Sequence, residues 1–159
     1  MESKIIIADA DFLSTFLKID RLELIFRALD TKEMVIAGAV LHEVEQAPVY
    51  NKLLDALQSK NHKIIVKIVT VSDSEDFGRG ELESISLAEE SDGLLLMNDR
   101  KAATFAESKG ITVMDIPIFL FHCKINNHLS NKELTKIIKD LKEKDYYEFS
   151  TEVKERLLK

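Results

Sequence analysis

The first patterned stretch of the chain, Ile5-Ile6-Ile7-Ala8, is apolar without interruption and β-branched over most of its length. That pattern predicts a strand buried on both faces. Beyond Asp9 the period changes. Phe12, Leu13, Phe16 and Leu17 fall at helical spacing, and Asp11 is the candidate N-cap. Leu22, Ile25, Phe26 and Leu29 place a second short helix over Arg21–Leu29. Met34-Val35-Ile36 predicts a second strand. A helix from Ala39 to Ala47 follows, Pro48 breaks it, and a further helix runs to Gln58. Lys63 to Val71, β-branched and partly alternating, predicts a third strand, and Ser72 to Gly80 is polar loop.

The second half repeats the alternation. Glu81 to Glu90 is helical, Gly93 to Met97 is a buried strand, and Arg100 to Lys109 is a helix stopped by Gly110 at C′. Ile111 to Met114 is the last strand. The tail is helical: Ile116–Ile125, then Asn131–Lys144 opened by the capping box Ser130-Asn131-Lys132-Glu133, then Thr151–Leu158. Strands alternating with helices, most of the strands apolar throughout, predict an α/β fold. Its form is a three-layer α/β/α arrangement with a central, mainly parallel sheet of four to five strands. One domain over 1–159 is expected, with 130–159 as a helical C-terminal extension.

Composition narrows this picture. With 159 residues and 45% apolar content, one core can form without disulfides or metal staples. The single cysteine, Cys123, excludes a disulfide within the chain. It sits in the apolar run Ile116–Cys123 and reads as a packing residue, in keeping with a reducing cytosol. No apolar run approaches the ~18 residues of a membrane span. The start, Met1 to Asp9, lacks a leader-like apolar segment. A cytoplasmic location away from membranes is expected. The net charge of −6 argues against broad duplex binding, which rests on phosphate contacts. It admits a carboxylate cluster that gathers cations, and it admits a basic partner.

The placement of the acids carries the chemistry. In an open parallel sheet, ligands bind beyond the carboxyl ends of the strands. Asp9 follows the first strand directly and Asp99 follows the Leu94–Met97 strand by two residues. An acid at that point is costly to bury unpaired, so a functional role is favoured for Asp9. Asp99 also suits a helix cap. Glu43 follows the second strand, and Glu83 lies in the first turn of the helix before the Asp99 strand. Taken by themselves, the residues leave Glu45 in competition with Glu43, and Glu81, well suited to a helix start, in competition with Glu83. Oxygen-only donors favour Mg²⁺ or Mn²⁺ over zinc. Water carried by such an ion can attack a phosphodiester. Arg79, Arg100 and Lys101 are candidate contacts to a phosphate group, against the competing reading of solvated surface charge. The histidines show no ligand spacing, and His42 and His122 read as packing or surface residues.

Four segments together resemble the PIN-domain family of metal-dependent ribonucleases, many of them toxins of VapC type. They are Ile6-Ile7-Ala8-Asp9-Ala10-Asp11-Phe12-Leu13, Ala39-Val40-Leu41-His42-Glu43-Val44, Gly80-Glu81-Leu82-Glu83-Ser84-Ile85-Ser86-Leu87-Ala88 and Leu94-Leu95-Leu96-Met97-Asn98-Asp99-Arg100-Lys101-Ala102-Ala103. Their order covers most of residues 5–121, and the tail is similar to a little-characterised prokaryotic branch of the family. The resemblance implies an endoribonuclease, possible role the toxin of a toxin–antitoxin pair, with Asp9, Glu43, Glu83 and Asp99 as the catalytic and metal-holding acids. It implies an RNA substrate, an antitoxin partner and Mg²⁺ or Mn²⁺. Asp11 stands where relatives carry a small polar residue. Asp115-Ile116 stands where relatives often carry Gly-Thr. Both aspartates are therefore candidate supporting residues. The competing expectation is a PIN-like scaffold that binds a protein or RNA partner without strong catalysis. The apolar faces of Arg21–Leu29 and Pro48–Leu57 are candidate partner surfaces, a homodimer included.

Overall fold

A computed structural model describes residues 4–159; the first three residues of the Met1–Asp9 stretch lie outside it. The elements run β1 (Ile6–Ala8), α1 (Ala10–Lys18), α2 (Leu22–Ala28), β2 (Glu33–Ala37), α3 (Gly38–Glu45), α4 (Tyr50–Leu57) and β3 (Lys63–Lys67). They continue α5 (Arg79–Ser91), β4 (Leu94–Leu96), α6 (Arg100–Ser108), β5 (Thr112–Met114), α7 (Ile116–Ile125), α8 (Asn131–Asp145) and α9 (Thr151–Leu158). The strands form a five-stranded sheet in the order β3-β2-β1-β4-β5, every ladder parallel. Helices cover it in the expected three-layer α/β/α arrangement.

The apolar runs occupy the middle of the sheet. β1 and β4 are buried along their whole lengths, because each has a strand on both sides and helices above and below. β4 enters beside β1 at Gly93, where a Cβ would stand 2.8 Å from the Ile5 carbonyl oxygen, so only a bare Cα fits. Gly110 closes α6 with φ +83°, as its C′ position requires.

Three boundaries differ from the sequence pattern. β3 stops at Lys67 although the β-branched run continues to Val71. It is an edge strand paired only with β2, β2 turns into α3 after Ala37, and Ile68 is 85% exposed. α1 takes Asp9, not Asp11, as its N-cap residue, and the Asp11 carboxylate instead accepts the Phe12 N–H at 2.7 Å. α5 begins at Arg79, because Gly78 caps it while Glu81 Oε1 accepts the Gly78 N–H at 3.0 Å. Glu83 therefore lies in the second turn of its helix and not the first.

The tail packs onto this frame. Phe119 of α7 meets Phe12 and Phe16 of α1 edge-on, with ring centroids 5.8 and 5.2 Å apart. Asp145, at the end of α8, accepts the Thr15 hydroxyl at 2.8 Å and the Lys18 ammonium at 3.0 Å, which clamps α8 to α1. Leu24, Ile25, Phe26 and Leu53 are buried in the core. Leu22, Leu29 and Leu57 pack half-buried against that core, so most of the apolar surface of α2 and α4 is turned toward it. Cys123 is fully buried, and burial pushes its thiol up to about 12. Among the described residues no helix is long and apolar enough to cross a membrane.

Candidate functional site

The sheet order reverses between β1 and β4, and the acids collect where those strands end. This is the switch point at which parallel α/β sheets bind ligands. The Asp9 N–H donates to the Leu96 carbonyl at 2.9 Å, fastening the two strand ends together. Its carboxyl is buried, the residue being only 3% exposed, and Oδ1 accepts the Ser84 hydroxyl at 3.1 Å. Loss of solvation is the largest influence on it, followed by the charge of Asp11. Glu81 adds to both, while the Ala10 N–H and the Ser84 hydroxyl oppose them. The result is a carboxyl pushed up to about 8.

The neighbouring acids push on one another. Asp11 is raised by loss of solvation and by Asp99, against the N–H groups of Phe12, Asn98 and Asp99 that favour its charge. Glu43 is raised by desolvation, then by Glu81 and Asp11, with His42 opposing. Glu81 is raised by desolvation and by Asp99 and Asp11, and lowered by its bond from Gly78 and by Lys101. Asp99 is exposed and caps α6, accepting the Ala102 N–H at 2.9 Å. Asp9, Asp11, Glu43, Glu81 and Asp99 thus share one electrostatic neighbourhood.

Glu83 has other partners. It is buried, Oε1 accepts the Ala39 N–H at 3.1 Å, and Oε2 faces Arg79 Nε at 3.0 Å. Its carboxylate ties α5 to the first turn of α3, where negative charge is favoured by the helix dipole. Asp115 caps α7, accepting the Ile118 N–H at 2.9 Å. The three basic candidates each already face carboxylates. Arg79 also pairs with Asp73 at 2.9 Å, Arg100 stands 3.7 Å from Glu107 and 3.9 Å from Asp115, and Lys101 stands 3.7 Å from Asp76.

Sequence reading passed over Ser84, Asn98 and Tyr147. Ser84 was detectable in principle. It lies three residues after Glu81 and shares its helix face, whereas Glu83 shares a face with Arg79. Asn98 Oδ1 accepts the Ile116 N–H at 3.2 Å, its backbone N–H favours the charged form of Asp11, and its side chain lies close enough to the Tyr147 hydroxyl to favour its ionised form. No local pattern announces that link, because Tyr147 arrives from the far end of the chain.

The donor set is all carboxylate, which suits a hard divalent cation. Among the described residues no three His, Cys, Asp or Glu side chains stand close enough to grip one ion together. Mg²⁺ does not need that, since it commonly takes one or two protein carboxylates and keeps several waters. The residues present therefore suit such an ion in donor type, and one or two of these acids would hold it.

A family model described as DUF3368: PIN domain matches residues 5–159. Among solved structures, the chain is similar to a PilT N-terminus domain protein from the archaeon Sulfolobus solfataricus P2. The TM-score is 0.54 and the identity 18%, over 72% of this chain and 90% of that one. That likeness carries the fold. A second match is a domain of a functionally unknown protein from Methanocaldococcus jannaschii DSM 2661. Its TM-score is 0.49 at 20% identity, over 71% of this chain and 91% of that one. No curated protein matches the chain.

Proposed function

The chain belongs to the PIN-domain family, whose members are typically nucleases that use divalent metals, and from that premise we propose that it is a metal-dependent endoribonuclease. The observation that carries the proposal is Asp9: a buried carboxyl at the β1/β4 switch point, pushed up to about 8 by desolvation and by neighbouring acids. Such a group is under strain when ionised, and a cation would relieve it.

Asp9, Glu43 and Asp99 are the acids that would hold Mg²⁺ or Mn²⁺, with Glu81 joining them and Asp11 in support. Glu83 acts on the centre through α3, whose first turn it anchors and which carries Glu43. When bound, the cation would supply an activated water and neutralise charge developing on the phosphate oxygens. The protein's own groups do the rest. The Ser84 hydroxyl fixes the orientation of the Asp9 carboxylate. The Phe12 N–H holds that of Asp11. Arg100 and Lys101 stand in long, exposed ion pairs, which are weak and readily exchanged for a phosphate.

The RNA substrate and the role as toxin in a toxin–antitoxin pair are what the resemblance implies, and the cytoplasmic setting is inferred from the lone cysteine and the lack of a membrane-length apolar run. A small DNA-binding antitoxin encoded beside this gene would support the toxin role. The test is cleavage of a labelled single-stranded RNA by the purified chain with Mn²⁺ or Mg²⁺. Asp9→Asn is expected to abolish cleavage while keeping the circular dichroism spectrum, and EDTA is expected to abolish it in the wild type. Full activity in either case overturns the proposal.

The absence of three converging acids among the described residues favours a second reading, a scaffold of the same fold that binds a partner. Titration calorimetry separates the two, since a scaffold takes up no Mn²⁺ at millimolar concentration.

A further inference from the structure

We propose that the stacked rings of Phe77 and Phe105, flanked by Lys101 and Lys109, form a platform for single-stranded nucleic acid leading into the acidic centre. This rests on the nuclease reading and names the surface that would receive its substrate.

Phe77 lies in the loop before α5 and Phe105 on α6. Their rings stack with centroids 4.9 Å apart and planes 15° apart. Neither ring is fully buried, so two large apolar rings remain partly open to solvent. Lys101 Nζ lies 5.4 Å from the Phe77 centroid and Lys109 Nζ lies 5.3 Å from the Phe105 centroid. The order is cation, ring, ring, cation. Lys101, Phe105 and Lys109 are spaced by four residues, so they line one face of α6 and its C-cap.

This stripe begins at the acids. Asp99 is the N-cap of α6, two residues before Lys101. The Lys101 charge is felt by Glu81, and Phe77 precedes Gly78, whose N–H bonds Glu81. One lysine thus faces the acidic cluster and the ring stack together.

A plainer account is that the stack pins the loop to α6. That accounts for two packed rings but not for an ammonium on each, in a chain of net charge −6. Those ammonium groups have only weak competing partners. Lys101 stands 3.7 Å from Asp76 and Lys109 stands 3.6 Å from Glu89, in solvent-exposed pairs of the kind that contribute little. The two lysines cover the outer faces of the stack, and their exposed, weakly paired ammonium groups can swing onto phosphates, which opens those faces to a base. A duplex offers the phosphates but no free base face. The charge and the rings together therefore select a single strand.

The test uses the full chain in EDTA, so that nothing is cut, and reads fluorescence anisotropy of labelled 12-mers: oligouridine, oligothymidine and an abasic strand. The wild type is expected to bind both base-bearing strands more tightly than the abasic one, and the two base-bearing arms show whether the sugar matters. Phe105→Leu keeps apolar bulk and is expected to weaken base-bearing strands about five- to tenfold with abasic binding unchanged. Phe105→Tyr restores wild-type affinity. The exposed double change Lys101→Gln/Lys109→Gln is expected to weaken all three strands and to flatten the salt dependence by about one unit of slope. Equal wild-type affinity for abasic and base-bearing strands, no binding at all, or unchanged binding in Phe105→Leu overturns the platform. Unchanged binding in Phe105→Leu alongside Asp9-dependent cleavage would sink the platform alone. Loss of base-dependent binding in Phe105→Leu, with cleavage indifferent to Asp9, would sink the nuclease reading alone.

Discussion

The Glu43 carboxylate lies against Gly80 so closely that a Cβ on that glycine would stand 2.5 Å from Glu43 Oε1 and 3.6 Å from Val40 Cγ2. The bare Cα lets α3 and α5 approach and seats Glu43 beside Glu81. Gly80→Ala would therefore push the flexible end of Glu43 aside. Alanine is favoured over glycine inside a helix by roughly 0.5–1 kcal/mol, so the melting temperature should hold or rise. Mn²⁺ affinity by calorimetry and the cleavage rate should both fall, by about tenfold, the loss of one charge-assisted contact. A variant with unchanged cleavage would remove Glu43 from the centre.

Asp9 sets a pH dependence. Its carboxyl binds a proton more tightly in the folded chain, with a value of about 8 against 3.8 unfolded. Between those values the folded state holds more protons than the unfolded one, so stability falls as pH rises. The contribution is fully present below pH 4 and is lost as pH passes through about 8. Asp9→Asn removes the titrating group and keeps an acceptor for Ser84. In EDTA the variant should melt at least about 5 °C above wild type at pH 8, and the gap should close toward pH 4. Mn²⁺ should narrow the gap at pH 8 by stabilising only the wild type. Parallel melting curves across this range would contradict the placement of Asp9.

What the sequence disclosed and what it hid divide along physical lines. Ile5–Ala8 and Leu94–Leu96 are legible because a strand buried on both faces must be apolar throughout, and the acids behind them then fall at one edge. Glu81 and Glu83 are two residues apart on one helix, and choosing between them needs the helix start. That start was hidden because Gly78 caps α5 with backbone alone, Glu81 supplying the side-chain half of the box. The end of β3 was hidden for another reason, since an edge strand is only as long as its partner. Tyr147 and Asn98 meet across the tail and the β4–α6 turn, a contact that no local period encodes.

The two glutamates of α5 should separate experimentally. Glu81→Gln removes a charge that raises Asp9 and Glu43. Metal-free stability at pH 8 should therefore rise while Mn²⁺ affinity falls severalfold. Glu83→Ala instead leaves the Ala39 N–H without its acceptor and takes away one of the two carboxylates that face the half-exposed Arg79. A loss of about 1–3 kcal/mol is expected, read as a lower melting temperature. Matching profiles for the two variants would mean that the helix faces are assigned wrongly.

Two attachments join the helical tail to the elements around the candidate site, and they can be cut independently. Asp145 binds Thr15 and Lys18 on α1, the helix that carries Asp11 and begins at Asp9. Its side chain is 13% exposed, while that of Lys18 is 39% exposed. Asp145→Ala should cost about 1 kcal/mol, since the Lys18 ammonium loses its partner to water and the Thr15 hydroxyl keeps the Asp11 carbonyl as acceptor. For a chain of this size that lowers the melting temperature by about 2–4 °C per kcal/mol. Tyr147→Phe is the gentler cut. It keeps the ring against Phe149 and removes only the hydroxyl, whose ionised form the Asn98 side chain favours. Because the Asn98 backbone favours the charge of Asp11 and its side chain receives the Ile116 N–H, the change should reach the acids with little effect on melting. A cleavage rate lowered at saturating substrate, with KM preserved, would show the tail positioning the centre. Equal losses of stability and rate in both variants would mean that the extension only stabilises the fold.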